Sequence, residues 1–171
     1  ATLAWQDGPA ALDLEVNGGE RGGRWRGVLQ QLRLTPHDQA PWVLREPAEV
    51  AFDRVGSAWR LARACLASTQ ASLCAQADAD AAGAEATLEL DALPWSAFDS
   101  YLAGLFDAPA SAYGTLSGRI RIARDARGAL HGDAQVESIE GGLRLDSDAT
   151  RDWVMYRDLD LRATLDPSRA M

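Results

Sequence analysis

Residues 57–80, SAWRLARACLASTQASLCAQADAD, are where the reading of the fold begins. They form two extended segments joined at Ala67-Ser68-Thr69-Gln70, with Cys65 near the end of the first and Cys74 near the start of the second. The chain has no other cysteine. Folded back as a hairpin, the segments bring the two cysteines opposite one another. Cβ atoms there lie about 4.5–5.5 Å apart, within reach of a disulfide after small adjustment. Closing a loop of roughly ten residues stabilises the fold by about 2.5–3 kcal/mol in the chain-entropy model. A bonded pair points to an oxidising compartment.

The same period-two alternation extends to both sides of this hairpin. Upstream, Leu12, Leu14 and Val16 alternate with Asp13 and Glu15, and Asn17-Gly18-Gly19 reads as the end of that run. Gly22-Gly23 precedes a strand over residues 24–34, in which the Val28-Leu29 pair breaks the alternation and predicts a bulge. Short extended pieces follow at Trp42-Val43-Leu44 and residues 48–53, with Val50 and Phe52 on one face. Downstream, Ala86, Leu88 and Leu90 oppose Glu85, Thr87, Glu89 and Asp91.

The period then changes. Trp95, Phe98, Leu102 and Leu105, with Phe106, fall on one helical stripe, so residues 95–106 read as a short amphipathic helix. Ser96 and Asp99 have capping-box spacing, with Pro94 just before. Strands resume with Leu116, Gly118, Ile120 and Ile122, turn at residues 125–128, and continue through Ala134 and Val136. Gly141-Gly142 reads as a break, and Leu159, Leu161, Ala163 and Leu165 form a last alternating run. About ten strands and one helix make an all-β, mostly antiparallel protein whose strands each have one apolar and one charged face. Two architectures fit: a closed β-sandwich, or a single curled sheet that leaves its apolar face as a trough.

With 171 residues, the chain can form one domain with a real core or one slice of something longer. Its 47% hydrophobic content is rich in alanine, which favours a shallow structure over a thick core. A formal net charge of -8 argues against nucleic acid and against an anionic membrane surface as partners. The chain contains no lysine. It starts without methionine, signal peptide or anchor, and no apolar run approaches the roughly 20 residues of a membrane span, so a single fragment of a longer protein is expected over residues 1–171.

From Trp42 onward, the order of features resembles the TamB family of the translocation and assembly module, within the wider AsmA-like group. The resembling pieces are Trp42-Val43-Leu44 with Glu46-Pro47-Ala48, then Cys65-Leu66 and Leu73-Cys74. The strand into Leu90-Asp91-Ala92-Leu93-Pro94 and its short helix follow, then Gly114-Thr115-Leu116-Ser117-Gly118 and the segment around residues 128–132. The resemblance implies a β-taco, a long curled sheet with a hydrophobic interior, in a periplasmic protein anchored in the inner membrane. It also implies an outer-membrane partner of the Omp85 type (TamA), a role in outer-membrane assembly, and movement of phospholipid between membranes. Neither the anchor nor the partner-binding end is recognisable in these residues.

Three functions compete. The first is a conduit whose apolar rows hold phospholipid acyl chains, each buried CH₂ contributing about 0.8 kcal/mol without a charged anchor. Its expected lining is Leu12, Leu14, Val16, Val50, Phe52, Trp59, Leu61, Leu88, Leu90, Ile120, Ile122, Val136, Leu159 and Leu161, with the helix residues Trp95, Phe98, Leu102, Leu105 and Phe106 as a plug. The second is a scaffold that takes up strands of unfolded outer-membrane protein by β-augmentation. Free edges would also allow a dimer. The third, an enzyme, has little support: His37 and His131 are isolated, and Asp78 with Asp80, Glu85 with Glu89 and Asp158 with Asp160 sit on alternating, solvated strand faces. No glycine-rich phosphate loop is present, since Gly22-Gly23 and Gly141-Gly142 lack a following helix and lysine. No cofactor or metal is expected.

Overall fold

A computed structural model describes residues 2–7, 10–36, 40–99, 102, 104, 110–145 and 154–166. The eleven strands are β1 (Thr2–Asp7), β2 (Ala10–Arg21), β3 (Arg24–Thr35), β4 (Trp42–Leu44), β5 (Ala48–Asp53), β6 (Ala58–Ser68), β7 (Ala71–Asp80), β8 (Gly83–Pro94), β9 (Ala110–Asp125), β10 (Leu130–Leu145) and β11 (Val154–Leu165). All pairings are antiparallel, and the order in the sheet follows the order in the chain. The short β4 and β5 share one lane: β4 pairs with β3 and β6 near one end, and β5 pairs with the same two strands near the other. The sheet does not close, because β1 and β11 remain its two edges. One open, one-sided sheet replaces the sandwich alternative, since no second layer packs on either face of the described strands.

Strand chemistry explains the hairpins. Gly22 and Gly23 take positive φ (61° and 78°), as a two-residue turn between strands requires. Aspartates close three further turns: Asp53 Oδ1 accepts from the Val55 and Gly56 amides, Asp80 Oδ1 from Ala82 and Gly83, and Asp125 Oδ1 from Arg127 and Ala129. Four pairings contain a register shift, at β2–β3, β6–β7, β8–β9 and β9–β10. Such bulges raise local twist and curl a sheet. The shift expected at Val28-Leu29 falls one residue later, at Gln30: Glu15 faces Gln31 and Val16 faces Leu29.

Several expectations change. β1 has no strong alternation and becomes legible only through its ladder with β2, so the described residues form eleven strands where about ten were expected. Asn17-Gly18-Gly19 is strand, not turn, paired with Val28, Gly27 and Arg26. The Trp25 indole occupies the space that a Cβ on Gly18 or Gly27 would need, so the glycines make room for a ring. Gly141-Gly142 likewise lies inside β10: the Tyr156 ring covers Gly141 and the Tyr113 ring covers Gly142. The helix also differs. Residues Trp95–Phe98 form a 3-10 turn with Pro94 as its N-cap and no side-chain cap, and helical backbone recurs at Asp99, Leu102 and Gly104. Asp99 does not close a capping box; its Oδ1 accepts the Ala112 amide of β9 at 2.8 Å. Leu105, Phe106 and His37 lie outside the described residues.

Candidate functional site: an apolar face with one covered end

In antiparallel pairing, residues directly opposite one another share a face. One row of partners therefore crosses the sheet on a single face: Leu44, Leu66, Leu73, Leu90, Gly118, Val136 and Leu161. A second row runs through Val50, Leu61, Ala77, Ala86, Ile122, Gly132 and Leu165. Leu88 and Ile120 pair between these rows, and Leu12, Leu14 and Val16 continue the face against Leu34, Leu32 and Leu29. Leu159 sits opposite Ser138, and Phe52 opposite Trp59. All fourteen side chains expected to share a face do so. None of them is buried: ten are half-buried, and Phe52, Trp59, Ile122 and Leu161 are exposed.

The opposite face is charged. Glu89 accepts from both Arg63 and Arg119, Arg121 lies near Glu85 and Asp133, and Arg162 pairs with Asp160. The hydrogen bonds from Arg119, then Arg63, hold the Glu89 carboxyl below its ordinary range. Cys65 and Cys74 are register partners on this face, joined by a disulfide with Cα atoms 4.0 Å apart, and the next partner in their row is Glu89. Their strand neighbours Leu66 and Leu73 point the other way. The sulfurs therefore stand on the side of the sheet away from the apolar rows.

Two buried clusters organise the apolar face. The first gathers Leu29, Leu44, Ala48 and Ala64, with Leu14, Val16, Val50 and Leu61 against it. The second gathers Trp42, Ala71, Leu93 and Leu116 at one end of the strands, and Trp95, Ala97 and Phe98 of the 3-10 turn pack on it. Trp95 and Phe98 meet edge to face with centroids 5.9 Å apart. The Trp95 indole N–H donates to Tyr156 Oη of β11 at 2.6 Å, and that hydroxyl lies 2.7 Å from Ser138 Oγ of β10. The turn is thus fastened to β9 by Asp99 and to β11 by Trp95. At the other end Trp25, Phe52 and Trp59 are successive partners across β3, β5 and β6, and the latter two are 45% and 44% exposed.

The polar candidates stay apart. His131 is exposed on β10, with Nε2 3.9 Å from Asp125 Oδ2. It borders a depression of about 540 Å³ shared with Arg121, Asp133 and Asp166. Asp78 and Asp80 lie two residues apart on β7, and Asp80 is occupied with its turn amides. Among the described residues no three His, Cys, Asp or Glu side chains gather closely enough to hold a metal ion. Nor is any described helix long and apolar enough to cross a membrane. The polar relay through Tyr156 escaped the reading of the sequence. Its one signal there is Gly141-Gly142, which marks where rings cross the strand.

Residues 1–171 match the family model described as TamB, N-terminal domain. No curated protein and no solved structure matches the chain.

Proposed function

This chain belongs to the TamB family, and from that premise we propose that its apolar face forms a groove holding phospholipid acyl chains. In this reading it is a non-enzymatic periplasmic wall segment of a protein anchored in the inner membrane. It serves lipid transport and outer-membrane assembly, together with an outer-membrane partner of the Omp85 type reached through other parts of the protein. The observation that carries the reading is the set of fourteen side chains that lie on the apolar face beside its two buried clusters, ten of them half-buried and four exposed. A closed core would bury such residues, whereas acyl chains need them accessible. The charged face keeps such a wall in water, and an apolar face without a charged anchor holds a chain without trapping it.

Photocrosslinking tests this. A photoreactive residue at Ile122 should crosslink phospholipid in the folded full-length protein, and Leu88→Arg should abolish the signal by placing a charge in the rows. Continued crosslinking at Ile122 in a folded Leu88→Arg variant would sink the groove.

A second reading is favoured by the free edges at β1 and β11, where Met155 and Leu165 stand exposed. An unfolded outer-membrane strand could add to β11 by main-chain pairing. Capture of such a strand by the full-length protein, abolished by a proline on β11 and unaffected by Leu88→Arg, would favour this reading over the first.

A further inference from the structure

Covering the apolar cluster requires only apolar contact, and Ala97 and Phe98 supply it. The Trp95–Tyr156–Ser138 relay does something additional. It joins the 3-10 turn to β11, a strand that pairs with β10 alone. Tyr156 can reach because Gly141 has no Cβ: its ring lies over that glycine and presents the hydroxyl to both partners. Ser138 is nearly fully buried while Trp95 and Tyr156 are half-buried, so opening the relay costs most at the Ser138 hydroxyl. Pro94, extended at φ -67° and ψ 136°, is the joint between β8 and the turn.

We infer that the relay is a latch that shuts one end of the apolar face against acyl chains, so that they enter and leave past Trp25, Phe52 and Trp59. The inference rests on the groove reading. Tyr156 is a positioning residue: it acts through the turn and touches no cargo. A single net hydrogen bond of this kind favours the closed arrangement by only about five- to tenfold, which suits a part that must release.

The test uses the full-length protein with its disulfide intact. Cysteine at Ala97 reports opening through its rate of maleimide labelling, and photoreactive residues at Leu34 and Ile122 report lipid at the covered and uncovered ends. Tyr156→Phe keeps the ring on Gly141 and removes the hydroxyl. It should raise labelling about fivefold and the Leu34 lipid signal by a similar factor, with Ile122 unchanged. Ser138→Ala, which spares the Trp95 bond, should do less, and Trp95→Phe should match Tyr156→Phe. Unchanged labelling in Tyr156→Phe and Trp95→Phe overturns the latch. Faster labelling without a rise at Leu34 overturns its control of lipid. If wild-type protein crosslinks lipid at neither position, the groove reading falls, and labelling still decides whether the relay holds the turn.

Discussion

The two ends of the apolar face use the same kinds of residue and finish them differently. At the covered end, Trp42 and Leu116 are 8% and 5% exposed, because a single 3-10 turn packs over their cluster. At the far end Phe52 and Trp59, equally large and equally apolar, stand nearly half exposed. Residue type does not decide which large side chain becomes core in a one-sided sheet. At this end a cover does, and its described part is Trp95–Phe98 plus two polar fastenings.

The sharpest way to break this comparison is truncation at each end. Trp42→Ala should cost about 3–5 kcal/mol and Leu116→Ala about 2–5 kcal/mol, read from urea unfolding midpoints. Phe52→Ala or Trp59→Ala should cost roughly 1–1.5 kcal/mol, in proportion to the smaller area they remove from water. Equal losses at both ends would mean the turn is not what separates them.

The disulfide offers a control that should touch neither end. Reduction, or Cys65→Ser, should remove about 2.5–3 kcal/mol of stability while leaving lipid crosslinking near its original level, since the bond stands on the charged face. Loss of crosslinking in a folded variant would place the disulfide within the site.

The smallest effect should come from Glu89, whose carboxyl is held below its ordinary value of 4.5 by Arg119 and then Arg63. A lowered folded-state value stabilises the fold above the ordinary value and ceases to do so as pH falls through the lowered one. Melting temperatures of wild type and Glu89→Gln should therefore differ slightly near neutrality and converge in acid. A gap that widened on acidification would contradict the assigned contacts.

Alternation is a strictly local property, which is why so much of the sheet could be read before it was seen. Ala86, Leu88 and Leu90 declare their face without knowing their partners, and a two-residue turn then sets which strand lies next. The cysteines told the register of β6 against β7. What stayed illegible depends on residues far apart in the chain. Glycines at 18, 141 and 142 looked like breaks because a ring that lies over a glycine is supplied from another position, by Trp25, Tyr113 or Tyr156. Asp99 satisfies an amide thirteen residues away, so its capping spacing misled. Burial was hidden as well: nothing in Trp42 and Trp59 as letters says that only one has a turn lying over it.

The order of strands in the sheet is the order of strands in the chain. Such a sheet has no seam where distant segments must find one another, so each hairpin can be laid down against the one before it at little loop-closure cost. It should assemble like a zipper and fray like one, losing β1 or β11 without unmaking the middle, as repeat proteins do. The Trp95–Tyr156 bond, reaching across 61 residues, is then a stitch that ties β11 back to the turn that follows β8.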